Sequence, residues 1–292
     1  MAWPFREDEW ANLTAAQEEF LTFVEAIAET ERVRLLVHPS VDAPPAPANV
    51  DVLRVAYGDS WTRDTAPIFT TAGEALVFRF DGWGGKYRME GDEDLARRIA
   101  GLAECDPVEH EFIVEGGAVE WDGEGTLLTT QCLRERNPGL ALDPLLKQAF
   151  GATRVVWLEG TLENDHTDGH IDTLARFVAP GRTLCMRGDA SDPNRDALGE
   201  IETQLRDAGF EVQVLPSPGV VRGSDGALLP ASYCNYYLAN DQVLVPAYGV
   251  AADEEAARIL RDTFPKRHVR TIPARFILEG GGALHCITQQ QP

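Results

Sequence analysis

A thiol next to a glycine-rich turn is the first candidate for chemistry. FILEGGGALHCITQQQP (276–292) sets three glycines ahead of His285 and Cys286. Glycines let a backbone or a substrate approach closely, and a thiolate is a strong nucleophile wherever its surroundings favour ionisation. Alone, Cys286 reads more simply as a small buried hydrophobe. LENDHTDGHIDTLARFV (162–178) gathers Asp165, His166, Asp168, His170 and Asp172 before an apolar run. On a strand, His170 and Asp172 would share one face, which is a proton-transfer imidazole beside a carboxylate. FIVEGGAVEW (112–121) ends an apolar stretch on Glu115 and then two glycines. A carboxylate there must find a partner or shift its pKa, although an exposed Glu in a tight turn is the plainer reading. YGDSWTRDTAPIF (57–69) packs Asp59, Trp61, Arg63 and Asp64 among apolar neighbours, and a solvated turn with an Asp–Arg pair would explain it equally well.

Together these clusters supply a thiol, an imidazole, several carboxylates and an indole. That set suits attack on a planar cation. Carboxylates grip guanidinium nitrogens through paired, charge-assisted hydrogen bonds, and the bound cation favours the thiolate. Two metal readings compete. His166 and His170 have HxxxH spacing, which binds zinc on a helix, but Gly169 interrupts it and the HExxH glutamate is missing. A calcium loop is the other, but DxxDGxxD does not match the EF-hand spacing.

These residues need elements to carry them. Residues 15–29 put Phe20, Phe23, Val24 and Ile27 on one helical face, and similar helices are expected near 92–104, 194–208 and 252–264. Strands are expected at 33–39 and in ALVFRFDG, EFIVEGGAVEW, GTLLTTQC, RVVWLEG, TLARFVAPG, TLCMRG, EVQVLP, YCNYYLANDQVLVPAYG and VRTIPARFIL. Turn signals at Asp122-Gly123, Pro180-Gly181 and Asn240-Asp241 separate several of them. The class is α/β or α+β. No Gly/Ser-rich linker divides the chain, so one domain over 1–292 is expected. Glu115-Gly116-Gly117 recurs as Glu279-Gly280-Gly281, each after an expected apolar strand. Polar elbows near 58–64, 115–117, 168–172, 235–241 and 279–286 suggest about five similar units around a common centre.

The bulk composition excludes several classes. At 292 residues with 44 % apolar and 25 % charged side chains, the chain has core enough to fold as a globular protein. No apolar window is long enough to span a membrane. MAWPFREDEW lacks the basic and apolar regions of a signal peptide, so a cytoplasmic location is expected. The cysteines, at 105, 132, 185, 234 and 286, are odd in number and widely spaced, which disfavours a disulfide framework or a structural zinc site. A net charge of −21 repels nucleic acid and attracts small cations.

The chain resembles the agmatine deiminase and Porphyromonas-type peptidylarginine deiminase family of guanidine-modifying enzymes. The matching stretches are MAWPFREDEW, GDSWTRDTAPIF, FDGWGGKY, EGGAVEWDGEGTLLTTQCLRERNP, DGHIDTLARFVAPG, ASYCNYYLANDQVLVPAYG and GGGALHCITQQQP. They follow the family's order and span nearly the whole chain. The resemblance implies the pentein fold, a five-bladed α/β propeller with pseudo-fivefold repeats around a central active site. It implies deimination of a cationic guanidine to a ureido product and ammonia, with no cofactor and no metal. Agmatine, giving N-carbamoylputrescine in polyamine biosynthesis, is the first expectation for the substrate. Cys286 becomes the nucleophile, His170 the general acid and base, and Glu115 the group that orients His170. Asp64 and Asp172 become the guanidinium grip. Trp61 lines the pocket, and Asp168, His166 and Trp83 are further substrate-side or supporting residues.

The chain departs from the family pattern in three places. His166 stands four positions before His170, where the family carries an acid suited to a distal amine, leaving Glu163 or Asp165 to compensate. Ala283 replaces the Asn of the GGN-x-HC element. The segment that precedes the AWP motif in family members has no counterpart here, which puts the assigned start in question. Arginine, peptidyl-arginine or another small guanidine stays open as substrate, as do an amidinotransferase, a non-catalytic pentein, a metallohydrolase built on 165–172, and assembly into a homo-oligomer.

Overall fold

The computed structural model describes residues 1–292. Its helices begin where the side-chain pattern asks for them. In α1 (Leu13–Ala28) the Asn12 side chain accepts a hydrogen bond from the Ala15 amide, satisfying one orphan donor of the first turn. The helix then buries Phe20, Phe23, Val24 and Ile27, the expected face. It leads into β1 (Val33–Val37), which pairs in parallel with β2 (Val50–Arg54).

The remaining strands form four three-stranded sheets of one design. The first holds β3 (Ile68–Phe69), β4 (Glu74–Arg79) and β5 (Asp106–Ile113), preceded by α2 (Thr62–Thr65) and crossed by α3 (Leu95–Leu102). The second holds β6 (Val119–Trp121), β7 (Thr126–Thr130) and β8 (Arg154–Leu158), crossed by α4 (Cys132–Arg136) and α5 (Leu142–Phe150). After α6 (Ile171–Leu174), the third holds β9 (Ala175–Ala179), β10 (Arg182–Arg187) and β11 (Glu211–Pro216), crossed by α7 (Arg195–Asp207). The fourth holds β12 (Tyr237–Leu238), β13 (Gln242–Ala247) and β14 (His268–Pro273), crossed by α8 (Ala252–Thr263) and followed by α9 (Arg275–Glu279). In each, a short first strand pairs antiparallel with the middle strand, and a helical crossover returns a parallel outer strand.

The middle strands are covered on both faces and therefore read as unbroken apolar runs instead of alternating ones. Ala75–Phe78, Leu127–Leu128, Leu184–Met186 and Val243–Val245 are all buried. A principal core runs from α1 through the third and fourth sheets, and a smaller one beside α5 holds Leu127, Leu133 and Leu146. This is an α/β fold of one two-stranded and four three-stranded sheets.

Several local expectations fail. The expected strand EFIVEGGAVEW is broken by the Gly116–Ala118 turn between β5 and β6. Phe276, Ile277 and Leu278 belong to helix α9, not to a strand, so the second Glu-Gly-Gly does not repeat the setting of the first. Glu279 instead accepts hydrogen bonds from the Ser224 amide and hydroxyl, at 3.0 and 2.9 Å. His170 and Asp172 also lie off any strand: His170 caps α6 and Asp172 sits in its first turn.

Short helical turns open onto one another between the sheets. They are α2, Gly116–Ala118, α6, Tyr233–Asn235 and the turn through Leu284–Ile287. The Arg63 amide donates to the Cys286 carbonyl at 3.0 Å, and the His285 amide to the Asn235 carbonyl at 3.2 Å. The Ser232 hydroxyl donates to the Thr173 carbonyl at 2.6 Å, and the Gly117 amide to Asp64 at 2.8 Å. His170 and Glu115 link α6 to the Gly116–Ala118 turn, so the contacts run full circle. No helix is long and apolar enough to cross a membrane.

Candidate active site

The five residues singled out for chemistry converge where these turns meet. Cys286 Sγ lies 3.6 Å from Asp172 Oδ2. It also accepts a hydrogen bond from Asn235 Nδ2 at 3.2 Å. The Asn235 amide can face only this way, because its Oδ1 accepts from the His285 and Cys286 amides at 3.0 and 3.4 Å. Asp172 Oδ2 is 2.7 Å from His285 Nδ1, while Asp172 Oδ1 is buried without a partner. His170 pairs through Nε2 with Glu115 Oε2 at 2.7 Å. Its Nδ1 lies 3.7 Å from Asp64 Oδ2 and makes no hydrogen bond. Asp64 accepts from the Gly117 amide at 2.8 Å and from Trp83 Nε1 at 2.9 Å.

Gly117 is packed against three of these groups, with no room for a side chain. A Cβ there would stand 2.7 Å from His170 Nδ1, 3.0 Å from Asp64 Oδ1 and 3.1 Å from Asp172 Oδ2. Gly282 does the same on the thiol side, where a Cβ would stand 3.0 Å from Cys286 Sγ and 2.7 Å from the Trp61 ring. Trp61 is held by the Asp59 carboxylate at 2.9 Å and stacks on Trp10 at 5.4 Å between centroids. The site is thus a small, closely packed space walled by an indole, a thiol, an imidazole and two carboxylates. Two of its buried polar atoms, His170 Nδ1 and Asp172 Oδ1, have no hydrogen-bond partner.

The outer residues divide. Asp168 lies apart from that space, its carboxylate taken by Lys86 at 2.8 Å and by Arg136 at 2.9 Å. Arg136 is buried and reaches onward to Glu115 Oε1 at 3.0 Å, so Asp168 acts on His170 only through Arg136 and Glu115. His166 stacks on Tyr87 at 5.7 Å, and a Cβ on Gly281 would meet its Nδ1 at 2.8 Å. It borders the cysteine-bearing loop from outside. Asp165 spends its oxygens on the Thr167 amide and hydroxyl and the Gly169 amide, a turn-closing role. His166 and His170 therefore face different neighbours, and no group of three or more His, Cys, Asp or Glu side chains is placed to hold a metal ion.

The family model for Porphyromonas-type peptidyl-arginine deiminase matches residues 1–292. The chain belongs to that family. An agmatine deiminase from Stutzerimonas stutzeri is 36 % identical over the whole of this chain and 92 % of its own length. Among solved structures, the agmatine deiminase of Enterococcus faecalis superposes with a TM-score of 0.91 at 28 % identity, covering 100 % of this chain and 92 % of that one. A cysteine-to-serine agmatine deiminase from C. jejuni with substrate bound gives a TM-score of 0.85 at 28 % identity, covering 98 % and 90 %. A dimethylarginine dimethylaminohydrolase, at 15 % identity and a TM-score of 0.56, shares the fold.

In this family member the buried charges set one another. Burial opposes a positive charge on His170, but Asp64, Glu115 and Asp172 outweigh it and push its pKa up to about 9. Burial would likewise raise Glu115, yet the His170 bond and charge, with Arg136, hold it below the usual carboxylate range. Asp172 goes the other way: burial drives it up to about 7, with His170 opposing and Asp64 adding. Asp64 is also raised, by burial first. The Cys286 thiol is pushed well up by burial and then by Asp172 and Asp64, against which the Ala283 amide and Asn235 pull it down. His285 is held neutral by burial and by the nearby charges of Arg176, Arg63 and His170. A cation entering this space would neutralise the two carboxylates that hold the thiol protonated.

Three residues escaped the sequence reading. Asn235 lay inside an expected elbow, and its signal was a lone amide in the apolar run YCNYYLA. Arg136 shares a charged segment with Arg134, and nothing local separates the inward one from the outward one. His285 was noted only as the neighbour of Cys286.

Proposed function

We propose that this chain hydrolyses the guanidinium group of agmatine to N-carbamoylputrescine and ammonia, with Cys286 as nucleophile. The observation that carries this reading is the convergence of Asp64, Asp172 and His170 around Gly117, beside the Cys286 thiol. Carboxylates on two sides suit a planar cation with paired N–H donors. The entering cation offsets their charge, so the thiol gives up its proton to solvent and the thiolate attacks the guanidinium carbon. His170, protonated below about pH 9, gives its proton to the departing nitrogen as the C–N bond breaks. Ammonia leaves behind a thiouronium on Cys286. The same imidazole, now neutral, takes a proton from water. The water oxygen attacks the thiouronium carbon, the C–S bond breaks, the departing sulfur takes up the proton of the new hydroxyl, and the ureido product departs.

Glu115, itself fixed by Arg136, keeps His170 Nδ1 turned to this space. Trp61 lines the approach for the aliphatic chain. The full circle of contacts between turns supports a five-bladed propeller with the site on its axis and one catalytic domain over 1–292. Five unpaired cysteines fit a reducing, cytoplasmic setting. The family relatives named agmatine deiminase support the choice of substrate. His166, at the edge of the site, makes a panel of substrates informative. Ammonia and ureido product are to be measured over agmatine, arginine, arginyl peptides and shorter guanidines, in the parent and in Cys286→Ala. Turnover is expected with agmatine and lost in the variant. Turnover retained by Cys286→Ala refutes the mechanism, and a preference for arginine or peptides corrects the substrate.

A further inference from the structure

Arg63 is buried, 7 % exposed, and every hydrogen-bond partner of its guanidinium is a neutral oxygen. Nε donates to the His285 carbonyl at 3.3 Å. One terminal nitrogen donates to Gln289 Oε1 at 2.5 Å, the other to Gln290 Oε1 at 2.7 Å and to the Thr288 hydroxyl at 3.3 Å. Its own amide donates to the Cys286 carbonyl at 3.0 Å. One side chain thus gathers four residues that bracket the thiol. A buried charge ordinarily has an opposite charge beside it, and here the guanidinium instead serves as a planar fork of donors.

Apart from Arg63, the segment is tied by Gln289 Nε2 donating to the Pro67 carbonyl at 2.9 Å and by Thr288 bonding within its own turn to the Leu284 and His285 carbonyls. Thr288, Gln289 and Gln290 lie in neither strand nor helix. Arg63 sits in α2 between Trp61 and Asp64, which face the reacting space. A single helical turn therefore presents the cation grip on one side and anchors the nucleophile's segment on the other.

We propose that Arg63 is a positioning residue that fixes the Cys286 thiol relative to Asp64 and Asp172 by clamping residues 285–290. The proposal rests on the thiol mechanism above. Such a clamp sets the approach of sulfur to carbon, and misplacement by about 1 Å costs on the order of 100-fold in rate. It does not touch the substrate, so binding should change little.

The test compares Arg63→Met, the pair Gln289→Ala with Gln290→Ala, and Gln290→Glu, which keeps the acceptor oxygens. The glutamine pair should lower kcat by about 10–100-fold while KM stays within about threefold. Arg63→Met should lose at least as much, and Gln290→Glu should stay near the parent. If Arg63→Met does not fold, the glutamine pair decides. Parent-like kcat in the pair, or a loss confined to KM, overturns the clamp. A parent that releases no ammonia from any guanidine refutes the hydrolase reading instead. The clamp is then judged by alkylation of Cys286 with iodoacetamide across pH. Displacing the thiol from the Asn235 amide should move that profile upward in the glutamine pair, and an unmoved profile overturns the proposal.

Discussion

Asn235 offers the sharpest test of how the thiol is activated. Its Nδ2 is a side-chain N–H aimed at Cys286 Sγ, at 3.2 Å, and its Oδ1 is committed to two backbone amides. A hydrogen bond to a charged group contributes about 1.5–3 kcal/mol. At 1.36 kcal/mol per pKa unit, losing it raises the thiol by about one to two units. The thiolate fraction at any pH below the thiol pKa then falls by roughly 10–100-fold. Asn235→Ala should therefore move the pH profile of Cys286 alkylation by iodoacetamide upward by that amount. Its kcat/KM at neutral pH should drop by at least the same factor. Asn235→Asp should move the profile at least as far, since it removes the donor and adds a carboxylate next to sulfur. Both variants leave the His285 and Cys286 amides in altered company, at about 1–3 kcal/mol of stability, so urea unfolding must confirm that the proteins are folded at the assay temperature. An alkylation profile within about 0.3 unit of the parent in folded Asn235→Ala would show that the amide does not stabilise the thiolate.

Gly117→Ala should place a methyl in the reacting space, between His170 and the two carboxylates. Steady-state assays should show weaker substrate binding and a catalytic efficiency lower by roughly 100-fold or more, and near-parent kinetics would move the substrate elsewhere. Glu115→Gln should lower the His170 pKa from about 9 toward its ordinary value. Because that pKa is raised in the folded protein, His170 contributes stability that is full below about pH 6.5 and is lost as pH rises toward 9. The sum is on the order of 3 kcal/mol. The stability gap between parent and Glu115→Gln, from urea unfolding at several pH values, should narrow across that window. Ammonia release should survive chelators and stop on thiol alkylation, whereas loss on chelation would revive a metal mechanism at 165–172.

Much of the site was legible because its chemistry needs rare residues in apolar company. Cys286, His170, Glu115, Asp64 and Asp172 were each ambiguous alone and drew their roles from the combination and from the family resemblance, and each lies at a turn where the inner ends of the sheets meet. Their secondary structure was less legible. Ile171–Leu174 and Arg275–Glu279 are helices of four and five residues, too short for a 3.6-residue period to separate from a strand. Helix α5 was missed, and β5 begins earlier than expected, among the exposed charges of Asp106–Glu111. That edge has one covered face at most, so its pattern carries little apolar signal. Arg136 could not be ranked above other arginines, and the Asp–Arg pair offered for Arg63 does not form, because only packing decides which guanidinium goes inward and what it meets.

A circle has no first member, and that bears on how this protein could be rewired. The turns at the centre touch their neighbours all the way round, and Met1 and Pro292 border the same cavity. Joining the present ends by a short tether and opening the chain at the exposed Gly123–Glu124 tip of the β6–β7 hairpin would deliver the same five turns in rotated order. The thiol would then be synthesised midway along the polypeptide, and the pocket it faces would be unchanged.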